Sequence, residues 1–507
     1  MAFNSVFFIL VFLPVALIGY HVLAASPLHR LRLPFLILMG LGFYARSQVY
    51  YVPLLLGSVL FNYLLGVGIA RTADRPATQR LIVATGVIVD AGLLLYLKYF
   101  AAIFNSIAAP ETPLHIIAPL AISFFTFQQI GFLVDVARGR TQPGGFISYL
   151  GFVSFFPQLL AGPISLHQEV APQLAGRPAR GRVLENILVG LVIFSLGLFK
   201  KTVIADTAAL IADPIFDGAA AGSAPHLLAA WGAAATYTLQ IYFDFSGYSD
   251  MAIGVARMFG ILLPLNFFSP FRSRSIAELW QRWHMTLGRF VRVYIFQPLA
   301  IPLTRFAAAR DLGRWPGHAV TTLVPTFLSM LVIGTWHGPN WTFVLFGAMH
   351  GSFMVINESY NFATRKKRRK KPDTKAMLIL YNVLTVLAFT LAEVPFRSAD
   401  VPAAMRIFAG MIGLGGSAPA LTATMGWSMA AMILIGGLIA WTLPNTEQIM
   451  TRVRPALDWD KWGKVDPARV TIAFRFSPVW YAYAAVALFF GIAFIQRGSQ
   501  AFIYFNF

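Results

Sequence analysis

Three histidines stand out in a chain with few polar groups to spare. His337 and His350 lie in the stretch GTWHGPNWTFVLFGAMHG (334–351), and His284 lies in ELWQRWHMTLGRFVRVY (278–294). His284 and His337 each follow a tryptophan, Trp283 and Trp336. Burial disfavours the imidazolium, so a histidine in such a setting is a neutral base able to take the proton of a hydroxyl. His337 has a further feature. Gly338-Pro339 follows it directly, and that helix break frees backbone groups and lets a ligand approach. His350 sits inside the next helical run beside Gly351, a close-packing site, and reads as a structural residue. An unbroken helix from 337 to 350 would rotate the two rings apart by roughly 220°, onto different sides.

Other chemistries find no support. Cysteine is absent, which removes thiol nucleophiles, disulfides, S-palmitoylation and thiolate metal sites together. The nine histidines contain no HxxxH or HExxH spacing, so no metal site is expected. There is no G-x-S-x-G elbow, Walker A motif or G-x-G-x-x-G fingerprint that suits a soluble catalytic fold. The residues by themselves lead to a membrane-embedded enzyme that uses a histidine base on a hydroxyl or an acyl donor.

The elements that must hold these histidines are membrane helices. Of the 507 residues, 57% are hydrophobic and 12% charged, and the mean hydropathy is +0.66. Soluble domains carry about 25% charged residues, so the class is a polytopic membrane protein with one integral domain over 1–507. The formal net charge is +19, but the basic residues fall between apolar runs. There they orient helices and meet anionic lipid headgroups, and no nucleic-acid role is expected.

Along the chain, Ser5 to Leu23 is an apolar segment about long enough to span, without the basic n-region of a signal peptide. Further apolar runs occupy about 33–47, 51–70, 81–106, 115–136, 147–166, 184–199 and 202–212. Loops rich in Arg (Arg71, Arg75 and Arg80; Arg138 and Arg140; Arg177, Arg180 and Arg182) alternate with 107–114 and with a loop holding Asp213 and Asp217, which lack basic residues. That alternation places the N-terminus outside. Residues 147–166, with Pro157, Gly162 and Pro163, are too broken to span and read as re-entrant helix around a cavity. Asp244 and Asp250 stand in an apolar context and are expected to face the bundle interior, fixing helix packing or shaping the chamber.

The His284 segment reads as one amphipathic helix. Trp280, Trp283, Leu287, Val291 and Tyr294 form its apolar stripe; Arg282, Arg289 and Arg292 cluster opposite. Those arginines meet headgroups or attract an anionic, phosphate-bearing donor. Residues 317–336 and 341–359 are two more helices, followed by the cytoplasmic marker RKKRRKK (Arg365 to Lys371). Spans near 377–395, 424–443 and 478–496 and a shorter piece at 402–416 bring the total to about ten to thirteen.

Several stretches together resemble the membrane-bound O-acyltransferases (MBOAT). They are SFFTFQQIGFLVDVARG (Ser123 to Gly139), FFPQLLAGPI (Phe155 to Ile164), GLFKKTVIAD (Gly197 to Asp206) and YFDFSGYSDMAIGVARMFGI (Tyr242 to Ile261). NFFSPFRSRSIAELWQRWHMTLGRFVR (Asn266 to Arg292), WHG at Trp336 to Gly338, FRSAD at 396–400 and the closing FIYFNF belong to the same pattern. The match is nearest to the bacterial branch that contains alginate O-acetyltransferases and teichoic-acid D-alanyl transfer proteins.

The resemblance implies an all-α ring of helices around a narrowing tunnel, with core motifs over 120–360, a basic cytoplasmic loop at 362–375 and C-terminal helices over 376–507. It puts the family's invariant histidine on His337 and the second active-site position on His284. Arg282, Arg289, Arg292, Trp283, Trp336 and Asn340 are then the candidates for donor binding. The donor, acetyl-CoA, is taken from the cytoplasmic side of a bacterial inner membrane. The acetyl group passes to an exopolysaccharide such as alginate through an extracytoplasmic SGNH-type partner. D-alanylation, or protein or lipid O-acylation, is the nearest alternative. A polysaccharide-precursor transporter or an export scaffold, for which His337 would be dispensable, is the alternative from another class.

Overall fold

The structure is a computed structural model of the 507-residue chain. It describes all residues except 109–111, 113, 177–179, 369–372, 417, 419–420, 466–471, 496–501 and 503–507. Most of the closing FIYFNF, and the side chains of the basic run from 365, therefore lie outside the described residues. Among the described residues every regular element is helical.

The helices, in chain order, are α1 (Phe8–Ala25), α2 (Arg32–Gln48), α3 (Val52–Arg71), α4 (Pro76–Ala108), α5 (Ile122–Ala137), α6 (Phe146–Val153), α7 (Phe156–Leu159) and α8 (His167–Ala175). Then come α9 (Val183–Ala220), α10 (Leu227–Met258), α11 (Ile276–Arg282) and α12 (Met285–Val291), which continues through a π turn, Arg292–Phe296, into α13 (Gln297–Ala309). The last are α14 (Arg314–His337), α15 (Trp341–Arg368), α16 (Lys375–Arg397), α17 (Val401–Met411), α18 (Ala423–Thr442), α19 (Thr446–Ile449) and α20 (Pro478–Ile495).

Eight helical stretches among the described residues are long and apolar enough to cross a membrane, and one of them, His29–Arg71, is interrupted at Gln48 to give α2 and α3. α10 and α15, of 32 and 28 residues, have the length but are less apolar. The protein is thus a multi-pass, all-α membrane protein. α6 and α7 are short, and all but the first turn of α6 is buried, as expected of a segment too broken to span.

Three sequence expectations change. The runs 184–199 and 202–212 are one helix, α9, because a π turn at Lys200–Ala205 carries the chain past the lysine pair without a break. Asp213 and Asp217 consequently lie within α9 rather than in a loop, and both face Arg397 (Nη2 to Asp213 Oδ1 2.6 Å, to Asp217 Oδ1 3.3 Å). The third change concerns the His284 segment. It is two helices, because His284 adopts a left-handed conformation (φ 41°) between α11 and α12, and no single arginine face runs through it.

The centre of the molecule is α10, buried along almost its whole length. α9 crosses it backbone to backbone. A Cβ added at Gly197 would stand 2.6 Å from the Gly247 carbonyl oxygen, so only glycine permits that approach. The contact brings two lysines of α9 onto two carboxylates of α10, Asp244 and Asp250, beside a third on α9 itself, Asp206. Lys201 Nζ lies 2.6 Å from Asp206 and 2.5 Å from Asp244, and Lys200 Nζ lies 2.7 Å from Asp250. Thr446 of α19 donates to the same Asp250 oxygen at 2.6 Å. Buried charge survives at this depth only when it is paired. Asp244 and Asp250 therefore fix helix packing, each through a lysine, not through one another.

Candidate active site

His337 is the last residue of α14. Gly338 is extended (φ −179°, ψ 171°), as the residue before a proline prefers, and the chain re-enters a helix at Trp341. α14 and α15 then pack tightly enough that a Cβ on Gly334 would meet the Gly347 Cα at 2.6 Å. This hairpin fixes where both of its histidines point. His337 is buried among Trp336 (ring centroids 4.8 Å apart), Phe396 (4.9 Å), Phe346 (5.8 Å) and Phe343 (6.2 Å). Phe396 opens the FRSAD stretch at the end of α16.

His284 approaches the same place from the break between α11 and α12. Its Nδ1 is 3.0 Å from Asn266 Oδ1, which also accepts from the Thr286 hydroxyl at 2.8 Å. The Thr286 backbone N–H also donates to that atom at 3.4 Å, and because a backbone N–H can only donate, it assigns Oδ1 as the oxygen facing His284, with the amide nitrogen turned to Ser249 at 3.0 Å. Nδ1 therefore donates, and Nε2 is the basic nitrogen. Left-handed backbone at a non-glycine costs about 1–3 kcal/mol, and here the Asn266 bonds over-determine it. Phe245 stands edge-on at 4.6 Å, and the Trp336 indole, 4.8 Å from the His337 ring, is 6.5 Å from that of His284. His284, His350 and Lys98 all lie within electrostatic range of His337.

His350 occupies a different setting. It accepts the Trp280 indole N–H at Nδ1 (3.3 Å), and its Nε2 lies 3.9 Å from the buried Glu393 of α16.

Two cavities meet α14 at successive levels. A cavity of about 720 Å³ is walled by Thr322, Thr326, Ser329, Met330 and Ile333 of α14, with Trp280, Arg282, Arg289 and Arg292 across from them. A second, of about 220 Å³, is lined by Trp336 and His337 at the end of the helix, by Lys98, and by residues 117–124. The three candidate arginines thus share one cavity, although they do not share one helix. Arg289 is already engaged by Glu169 (Nη2 to Oε2 2.9 Å) and Arg282 by Glu278 (2.7 Å), while Arg292 is exposed. Lys461 joins the cations; Glu278, Glu358 and Asp458 line the same space.

The remaining candidates lie elsewhere. Trp283 packs in an aromatic core against Phe267 (5.1 Å) and Phe389 (4.9 Å), Trp336 lines the smaller cavity, and Asn340 is exposed ahead of α15. Two residues were not singled out by sequence. Asn266 lies in an irregular stretch where no periodicity marks it. Lys98 carries a signal of its own in the sequence, a lone lysine inside an apolar run.

Comparison with known proteins supplies the class of chemistry. Residues 137–396 match the model of the membrane-bound O-acyltransferase family. The chain is 39% identical over 448 residues to a peptidoglycan O-acetyltransferase of Helicobacter pylori, covering 82% of this chain and 80% of that protein. It is 35% identical over 426 residues to a probable alginate O-acetylase of Pseudomonas syringae pv. tomato, covering 82% and 76%. A teichoic acid D-alanyltransferase of Streptococcus thermophilus is 30% identical over 257 residues, covering 50% and 60%. The chain therefore belongs to the membrane-bound O-acyltransferase family and is an O-acyltransferase.

Proposed function

We propose that the chain moves an acetyl group through a bacterial cytoplasmic membrane, from acetyl-CoA on the cytoplasmic side to a hydroxyl of a cell-surface polysaccharide. One observation carries this reading: a single helix, α14, walls a large arginine-lined cavity and then ends in His337 at a second, smaller cavity. By the alternation of basic loops, the basic start of α14 is cytoplasmic and the 107–114 side is outside. A donor held by its phosphates at Arg282, Arg289 and Arg292 would then face an acceptor arriving from the other side.

In this mechanism His337 takes the proton of the acceptor hydroxyl, and the oxygen attacks the acyl carbonyl. His284, whose basic nitrogen is Nε2, orients the acceptor as a hydrogen-bond acceptor. Trp336 and the aromatic rings around it hold His337 in an apolar surround. An SGNH-type partner outside the membrane would carry the acetyl group onward to the polymer. Two relatives whose names specify O-acetylation, matched over most of the chain, support acetyl over D-alanyl. Their different polymers make alginate and peptidoglycan the acceptors to compare first.

The test is sided. Full-length protein is reconstituted into vesicles with acetyl-labelled CoA on the face bearing 365–371, and each polymer, together with an SGNH-type transferase, is offered on the opposite face. Label on a polymer supports the reading. Label that stays wholly in CoA, with a D-alanyl donor consumed instead, would replace acetyl by D-alanyl.

A further inference from the structure

The smaller cavity holds a charge that this mechanism leaves unused. Lys98, half-buried in α4, donates from Nζ to the Trp336 carbonyl at 2.6 Å, one residue before His337. Its neighbour Tyr99 donates to the Thr335 carbonyl, also at 2.6 Å. Both bonds satisfy carbonyls that the last turn of α14 leaves without helical partners. Such capping accounts for Tyr99, and for one of the three donors of the Lys98 ammonium. It does not call for a net charge, which is expensive at membrane depth and marks function there. Among the described residues that line the 220 Å³ cavity with His337, Lys98 is also the one lysine or carboxylate.

We propose that Lys98 is a catalytic residue whose ammonium binds the acyl carbonyl oxygen as that oxygen becomes negative. The inference rests on the proposed function. As the acceptor oxygen bonds to the carbonyl carbon, its proton passes to His337 and the carbonyl electron pair moves onto oxygen, where a Lys98 N–H holds it. The pair then returns to re-form C=O, the C–S bond breaks, and sulfur leaves with the proton from His337. Removing one such donor typically lowers kcat by about 10²–10³-fold.

The absence of cysteine permits a test within one folded protein. Lys98→Cys is purified as the full chain, and acetyl-CoA hydrolysis is measured with water as the acceptor, so that no polymer site is involved. The thiol is then modified with aminoethyl methanethiosulfonate, which restores an ammonium, or with ethyl methanethiosulfonate, which restores only bulk. Lys98→Cys should lose about a hundredfold in kcat with little change in the KM for acetyl-CoA. The aminoethyl adduct should recover most of that loss and the ethyl adduct should not. Equal rates for the two adducts, high or low, overturn the proposal, as does a Tyr99→Phe variant as slow as Lys98→Cys. His337→Ala run alongside separates the readings: if it hydrolyses acetyl-CoA like the wild type, the proposed function fails, whatever Lys98 does.

Discussion

The indole N–H of Trp280 donates to His350 Nδ1 at 3.3 Å, which gives His350 a task separate from that of His337. Nε2 must then carry the ring proton, and it lies 3.9 Å from Glu393 Oε1. Trp280 in turn lines the arginine-rich cavity. His350→Gln keeps an acceptor for the indole and should retain activity within about fivefold of wild type. His350→Leu leaves a buried N–H without a partner, a cost of about 1–3 kcal/mol. It should lower the unfolding temperature in detergent and raise the KM for donor. The comparison of the two variants by thermal unfolding and donor titration checks this.

Among the three arginines the geometry sets an order. Arg292 is exposed at the cavity, so Arg292→Gln should raise the donor concentration for half-maximal rate several-fold at low salt, and less at high salt because exposed charges are screened. Arg289→Gln instead removes the partner of Glu169 and should cost stability. Donor titrations at two ionic strengths decide. A donor dependence unchanged in Arg292→Gln would leave that residue to the lipid headgroups.

The Lys201–Asp244 pair should behave as a structural lock. Lys201→Met strands two buried carboxylates, Asp206 and Asp244, and breaking a buried pair costs about 3–5 kcal/mol. The expected result is poor insertion or a markedly lowered unfolding temperature. Adding Asp244→Asn to Lys201→Met should restore part of the loss. If the double variant is no more stable than the single one, the pair is not the source of the effect.

Topology can be read with single cysteines. Thr112→Cys should react with a membrane-impermeant maleimide in intact spheroplasts, and Lys367→Cys should react only after permeabilisation. Labelling of Lys367→Cys in the intact preparation would reverse the assigned orientation, and with it the side from which the donor enters.

Much of this was legible in the sequence for physical reasons. Membrane class follows from composition, and the Gly338-Pro339 break that ends α14 at His337 follows from the restriction proline places on its predecessor. The Lys200 and Lys201 partners were not legible: one apolar run ends at 199 and the next begins at 202, which sets both lysines between runs, where no buried partner is required. The break at His284 was not recoverable from periodicity. The apolar stripe from Trp280 to Tyr294 continues through it, and the left-handed residue is held by Asn266, a contact distant in the chain. Nor could a helical wheel reveal that Arg282, Arg289 and Arg292 converge on one cavity from two helices.

The role of His337 is tested most directly by acyl transfer per correctly folded molecule in His337→Ala, compared with wild type, His284→Ala and His350→Gln, each checked for thermal stability. Loss of a general base costs about 10²–10⁴-fold. His337→Ala should be stable and slowed to that degree, His284→Ala the next most impaired, and His350→Gln close to wild type. A stable His337→Ala protein that turns over donor at the wild-type rate would contradict that role.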